Sequence, residues 1–155
     1  LIERFIKSLN ISKDDGLLLV GHGGLGSGNS SYGNLQFKLI RDGLTNIRIA
    51  VLENAPYVAD IAMPWEWLDG KRPNTIYVHP LLLVLGDHAQ NDLFGDEEDS
   101  VINELADYDY EVKPIHSALG EYEAIQDIFR QHVQDCIDDL YGKRSPHRPT
   151  IPNIK

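Results

Sequence analysis

The chain has one cysteine, Cys136, and one methionine in 155 residues. A single thiol excludes a disulfide framework and any zinc cage built from cysteines. Cations are scarce as well: 14 Lys and Arg stand against 24 Asp and Glu, a formal charge of −10. Gripping a phosphate backbone requires a basic stripe, so nucleic acid is not an expected partner. No apolar run approaches the ~18 residues of a membrane span, and the longest, Leu81 to Leu85, has the length of a strand. No membrane partner is expected. What is present is ordinary for a globular chain: 42% hydrophobic residues and 13 glycines, enough for one sizeable core. The first residue is Leu1 rather than methionine, which implies sequence upstream. A missing signal segment therefore says little about compartment, and the expectation is cytoplasmic, with an export signal left open.

Periodicity organises the chain as one domain over 1–141, followed by a proline-rich basic tail over 142–155. Ile2, Phe5, Ile6 and Leu9 share a helical face. Leu17 to Val20 reads as a buried strand that runs into the glycine-rich GHGGLGSG. A helix follows to about Arg41, with Asn29 or Ser30 as its cap and Gly43 as its stop. Strands are expected over 47–52, 75–84 and 110–115, with Pro80 marking a bulge or an altered hydrogen-bond register in the third. Helices are expected over 57–68, interrupted or kinked at Pro64, over 100–106 and over 122–140, with a polar loop over 86–99. Near-continuous apolar strands alternating with helices predict an α/β fold: a four-stranded parallel sheet covered on both faces.

In such a sheet ligands bind outside the carboxyl ends of the strands. The first strand ends at His22, the second at Glu53, and the third leads to His88. Two imidazoles and a carboxylate suit divalent cobalt, nickel, iron or zinc. Each residue alone has a duller explanation as an ordinary strand-end side chain. Histidine ligates only when neutral, so protons must compete with such a metal. His116 is a reserve candidate, while His79, His132 and His147 read as structural or surface residues.

Two competing motifs carry less. Gly21-His22-Gly23-Gly24-Leu25-Gly26 matches the G-x-G-x-x-G of a dinucleotide site, but Glu53 lies 27 residues past Gly26 rather than ~20 from the fingerprint. Four strands also fall short of the ~6 of a full dinucleotide fold, so no functional NAD(P) binding is expected. His22-Gly23-Gly24 is similar to an esterase oxyanion loop, yet no G-x-S-x-G elbow exists, and Ser27, Ser30 and Ser31 read as loop and cap residues. The segment 87–111 holds ten acids and no Lys or Arg. It reads as a solvated face that would also attract a divalent cation.

The stretch Gly86-Asp87-His88-Ala89-Gln90-Asn91-Asp92, continuing through Gly95-Asp96-Glu97-Glu98-Asp99-Ser100, resembles the signature of the anaerobic cobalt chelatases. Gly21-His22-Gly23, Glu53 with Pro56, and Ala118-Leu119-Gly120-Glu121 resemble its other landmarks. Gly24 and Val101 stand where the family usually has threonine and tryptophan. The resemblance covers roughly residues 15–135 and implies a class II chelatase lobe that inserts Co²⁺ into sirohydrochlorin, a tetrapyrrole, for cobalamin biosynthesis. It implies His22, Glu53 and His88 as metal ligands, with His22 and His88 as the catalytic imidazoles. Co²⁺ is then a substrate metal, with Ni²⁺, Fe²⁺ or Zn²⁺ compatible with the same ligands. Since the resemblance is to the metal-carrying lobe alone, the expected partner is a second copy in a homodimer or a second lobe upstream. A non-enzymatic metal- or tetrapyrrole-binding protein on the same scaffold is the alternative. Arg41, Arg48 and Lys71 are the cations expected to meet a polycarboxylate substrate.

Overall fold

In the computed structural model, which describes residues 2–62, 65 and 71–142, four strands form one parallel sheet in the order β2-β1-β3-β4. The elements run α1 (Ile2–Ser8), β1 (Gly16–Gly23), a 3₁₀ turn (Gly26–Asn29), α2 (Ser30–Arg41), β2 (Ile47–Glu53), α3 (Val58–Ala62) and β3 (Thr75–Pro80). They continue with α4 (Asp87–Phe94), α5 (Val101–Ala106), β4 (Glu111–Pro114), a second 3₁₀ turn (Leu119–Glu121) and α6 (Glu123–Leu140). The expected continuation of α3 to residue 68 with its interruption or kink at Pro64, the tail from 143 with His147, and the side chain of Ile2 lie outside the described residues. No described helix is long and apolar enough to cross a membrane.

The period-2 alternation of β1 splits the core in two. Leu18 and Val20 join Ala50, Ile76 and Val78 on one face, under Ile61 of α3, Leu93 of α4 and Leu105 of α5. Leu17 and Leu19 join Ile47 and Ile49 on the other, with Phe5 of α1 and Leu39 of α2. Both sheet faces are therefore covered, as a parallel sheet requires. Because β2 and β3 lie on opposite sides of β1, the strand order reverses there, and the crevice beyond the carboxyl ends of β1 and β3 is the natural ligand position.

Three expectations are corrected. The third strand stops at Pro80 rather than continuing to residue 84: Leu81 N donates to Val20 O at 2.7 Å, and the chain then bends away. Proline has no N–H with which to continue the ladder. The loop expected over 86–99 contains α4, which starts behind Gly86, has Asp87 in its first turn and is anchored by the fully buried Leu93. One buried leucine in eight residues leaves too faint a period to read. Finally, Asn29 does not cap α2 with its side chain; a 3₁₀ turn precedes the helix, and Asn29 reaches across to the end of β2 instead.

His79 on β3 is fully buried. A carbonyl only accepts, so His79 Nδ1–H donates to Pro80 O at 2.7 Å, and Tyr122 O–H donates to Nε2 at 2.9 Å. Phe5 packs edge-on against both rings. Burial holds the His79 pKa below the ordinary imidazole value, against the opposing pull of the Pro80 carbonyl and Glu121. The unfolded chain thus takes up a proton that the folded chain refuses. This stability is fully present above about pH 6.5 and drains as pH falls below it, levelling off beneath the folded-state pKa. Urea midpoints measured at pH 7 and pH 5.5 should show this loss, and the loss should shrink in His79→Phe; equal slopes would exclude His79 as its source.

Candidate functional site

Residue Gly23 of β1 lies in register with Glu53 of β2, which brings His22 and Glu53 to the same corner of the sheet's carboxyl edge. Both side chains are exposed. The corner is braced by the loops that leave the two strands. Asn29 Nδ2 donates to Glu53 O at 3.2 Å and to Ala55 O at 3.1 Å, and Asn54 Nδ2 donates to Gly24 O at 3.0 Å. The glycines around His22 are explained by this packing. A Cβ on Gly23, whose φ is +81°, would lie 2.1 Å from Glu53 O, and one on Gly21 would lie 2.3 Å from the Tyr32 ring. Those two positions need glycine for the strand-to-strand contact and the helix packing, without recourse to a pyrophosphate.

His22 and Glu53 line a cavity of about 200 Å³, together with Leu52, Asp92 of α4 and Asp99. Asp92 and Asp99 read from the sequence as part of a solvated acidic face. In the structure both stay exposed, and α4 and the 95–99 turn bring them to the walls of the cavity that holds His22 and Glu53. The only sequence signal for this was their place inside the chelatase-like motif. His88, the second residue of α4, is exposed and lies outside the lining of that cavity. Among the described residues, no three His, Cys, Asp or Glu side chains stand in an arrangement that would hold an ion together.

A second cavity of about 540 Å³ opens beyond the ends of β3 and β4. Leu83, Val84, Leu85 and Phe129 form apolar walls, while Gln90, His116, Glu121 and Gln126 supply polar groups. Its floor is fixed by Leu119 N donating to Leu82 O at 2.8 Å and Gly120 N donating to Leu83 O at 3.0 Å. A Cβ on Gly120 would lie 2.7 Å from Leu83 O, so this close approach also needs glycine. The reserve histidine, His116, sits here with its ring 4.6 Å from that of Phe94, rather than beside His22.

The expected substrate-facing cations are elsewhere. Arg48 is buried, donating to Thr45 O, to Ile47 O at 3.1 Å and to Trp65 O at 2.7 Å, with its guanidinium 5.2 Å from the centre of the Trp65 ring. Its charge holds together backbone carbonyls under the sheet. Arg41 closes α2 against Asp42, and Lys71 lines a pocket with Asp14, Asp15 and Asn46, at the amino ends of the strands. Among the described residues, neither cavity at the carboxyl edge has a Lys or Arg in its lining.

A family model described as "Cobalt chelatase (CbiK)" matches residues 1–138. The sirohydrochlorin cobaltochelatase of Salmonella typhimurium is 26% identical over 129 residues, which cover 83% of this chain and 47% of that protein; the chain spans about half the length of this curated relative. In fold the chain is similar to the crystal structure of a CbiX protein from Marinobacter aquaeolei, assigned to cobalamin (vitamin B12) biosynthesis. The TM-score is 0.63 at 18% identity, covering 82% of this chain and 98% of that one. The parallel sheet, the strand-end His22 and Glu53 and the family match over residues 1–138 together lead to one conclusion: the chain belongs to the cobalt chelatase (CbiK) family of class II chelatases.

Proposed function

We propose that this chain inserts Co²⁺ into sirohydrochlorin, with His22, Glu53 and His88 as the metal's protein ligands. The observation that carries this reading is the joint exposure of His22 and Glu53 in one cavity at the carboxyl edge, in a chain of this family. Asp92 and Asp99 on the same walls add negative charge that draws a divalent cation toward the two ligands. The neighbouring cavity offers an apolar wall to a flat macrocycle, with Gln90, Gln126 and His116 as hydrogen-bonding groups for its edge.

Chelation exchanges one metal dication for two pyrrole N–H protons. His22 and His88 serve this exchange in their neutral forms, as ligands and as acceptors of the departing protons, and Glu53 offsets the imidazolium charge that results. The reaction needs no covalent intermediate and no redox partner. Among the described residues, the groups that line the two cavities and could meet substrate carboxylates are neutral donors such as Gln90 and Gln126.

One observation favours a non-catalytic metal- or tetrapyrrole-binding role instead: His88 is not among the residues lining the His22 and Glu53 cavity. Mixing the protein with Co²⁺ and sirohydrochlorin and following the absorption spectrum separates the two. A faster shift to the metallated spectrum than in buffer supports chelation. Binding of either component without acceleration supports the carrier.

A further inference from the structure

Asn29 has the residue type and the position of a helix cap, yet its side chain makes no capping hydrogen bond to α2. It closes the 3₁₀ turn that follows the His22 segment and reaches away from the helix. The carboxamide nitrogen has two N–H groups, and two carbonyls receive them: Glu53 O at 3.2 Å and Ala55 O at 3.1 Å. These carbonyls lie on either side of Asn54, whose φ of +65° bends the chain directly after β2. Asn54 Nδ2 returns the contact by donating to Gly24 O at 3.0 Å. Val51 N donates to Pro56 O at 3.0 Å and closes the base of the same loop. The segment carrying Glu53 is therefore tied to the segment carrying His22 by two asparagines, one donating in each direction.

Water could satisfy these carbonyls, because Glu53, Asn54 and Ala55 are all exposed. A hydrogen bond at such a place adds little to stability, since its carbonyl is solvated when the donor is lost. What the pair of bonds fixes is position. A metal site needs its ligands held within about 0.5 Å of the working geometry, and an exposed strand-end loop does not hold one there unaided. The chemistry of the contact also selects asparagine. A cap works through a side-chain oxygen, which Ser and Asp have as well, whereas two N–H groups on one short side chain are supplied by Asn and not by either of them.

We propose that Asn29 is a positioning residue for the metal: its carboxamide holds the backbone that bears Glu53 in place relative to His22, so that the exposed carboxylate and the exposed imidazole meet one ion. The inference rests on Glu53 being a ligand. Groups that orient a metal ligand from outside are worth roughly 10–100-fold in metal affinity.

Calorimetric titration with CoCl₂ alone, without tetrapyrrole, tests this on the wild-type chain, Asn29→Ala, Glu53→Ala and the doubly substituted chain. Asn29→Ala is expected to weaken Co²⁺ binding at least about tenfold, with a melting temperature lowered by no more than about 5 °C. The visible absorption of the bound Co²⁺ should change too, since it reports ligand geometry rather than folding. In the Glu53→Ala background the same substitution should alter Co²⁺ affinity by less than about twofold, because Asn29 acts through Glu53. Equal losses in both backgrounds would make Asn29 a general support of the fold and overturn the proposal, as would wild-type affinity in Asn29→Ala. Asn29→Asp keeps the shape of the side chain and removes its donors. An added carboxylate by itself draws a cation in, so the proposal requires weaker binding here and fails if affinity equals or exceeds that of the wild type. Ser30→Ala deletes a bond within the same segment, from Ser30 Oγ to Ser27 O at 2.7 Å, without touching β2. Its Co²⁺ affinity should be unchanged; a loss as large as that of Asn29→Ala would assign the effect to the turn and count against the clamp. Full Co²⁺ affinity in Glu53→Ala would remove Glu53 from the ligands and this inference with it, whereas weakened Glu53→Ala beside unaffected Asn29→Ala removes the inference alone.

Discussion

Replacing His22 by alanine is expected to lower cobalt insertion into sirohydrochlorin by at least about 100-fold, the low end of what a positioned acid or base contributes. The fold should be unaffected, because His22 is an exposed side chain at the end of β1. Cobalt affinity, measured by calorimetry, should fall with the rate, since the same imidazole is a proposed ligand and water would replace it poorly. Wild-type turnover in His22→Ala would remove it from the mechanism. His88→Ala should likewise weaken cobalt binding, and its comparison with Asp92→Asn and Asp99→Asn is the informative one. The two aspartates share the cavity with His22 and Glu53, whereas His88 lies outside that lining. Cobalt affinity that survives the loss of His88 and collapses with an aspartate would transfer the third ligand to a carboxylate.

Gly23→Ala should be the most damaging single substitution in the described structure that adds only a methyl group. Its φ of +81° is costly for any L side chain, and the new Cβ would meet the Glu53 carbonyl at 2.1 Å. Backbone cannot rotate out of the way as a side chain can. The adjustment must separate β1 from β2 at the point where the candidate ligands sit. A loss of roughly 2–4 kcal/mol is expected from the combined strain and overpacking. For a chain of this size that lowers the melting temperature by about 5–15 °C. Cobalt affinity should fall in the same variant at temperatures where it is still folded, because the Glu53 backbone moves with the strand. Gly28→Ala, with open space around the added Cβ, is the matched control. Equal stability of the two variants would show that the β1–β2 corner yields more easily than its geometry implies.

Local pattern determined much of this protein. Leu17 to Val20, Ile47 to Leu52 and Thr75 to Val78 are strongly apolar stretches bounded by glycine, proline or polar turns, and hydrophobic period is a property of neighbours in the chain. That is enough to specify a four-stranded parallel sheet with two covered faces, and with it the edge where His22 and Glu53 emerge. The GDHAQND and GDEEDS stretches specified the family for the same reason: they are contiguous. The tertiary structure decided whatever depends on residues distant in sequence. Arg48 looked like a substrate-facing cation until the fold brought the Trp65 carbonyl and ring to it across 17 positions. α4 is held by the burial of Leu93 in the core rather than by its own weak period, and only once α4 exists do Asp92 and Asp99 share a cavity with His22. The amphipathic pattern of α6 was plain in the sequence, but a pattern does not say which apolar side chains the core will use. The core needed few of them, and the stripe from Phe129 to Leu140 was left facing outward because the sheet face beneath was already covered by α1 and α2.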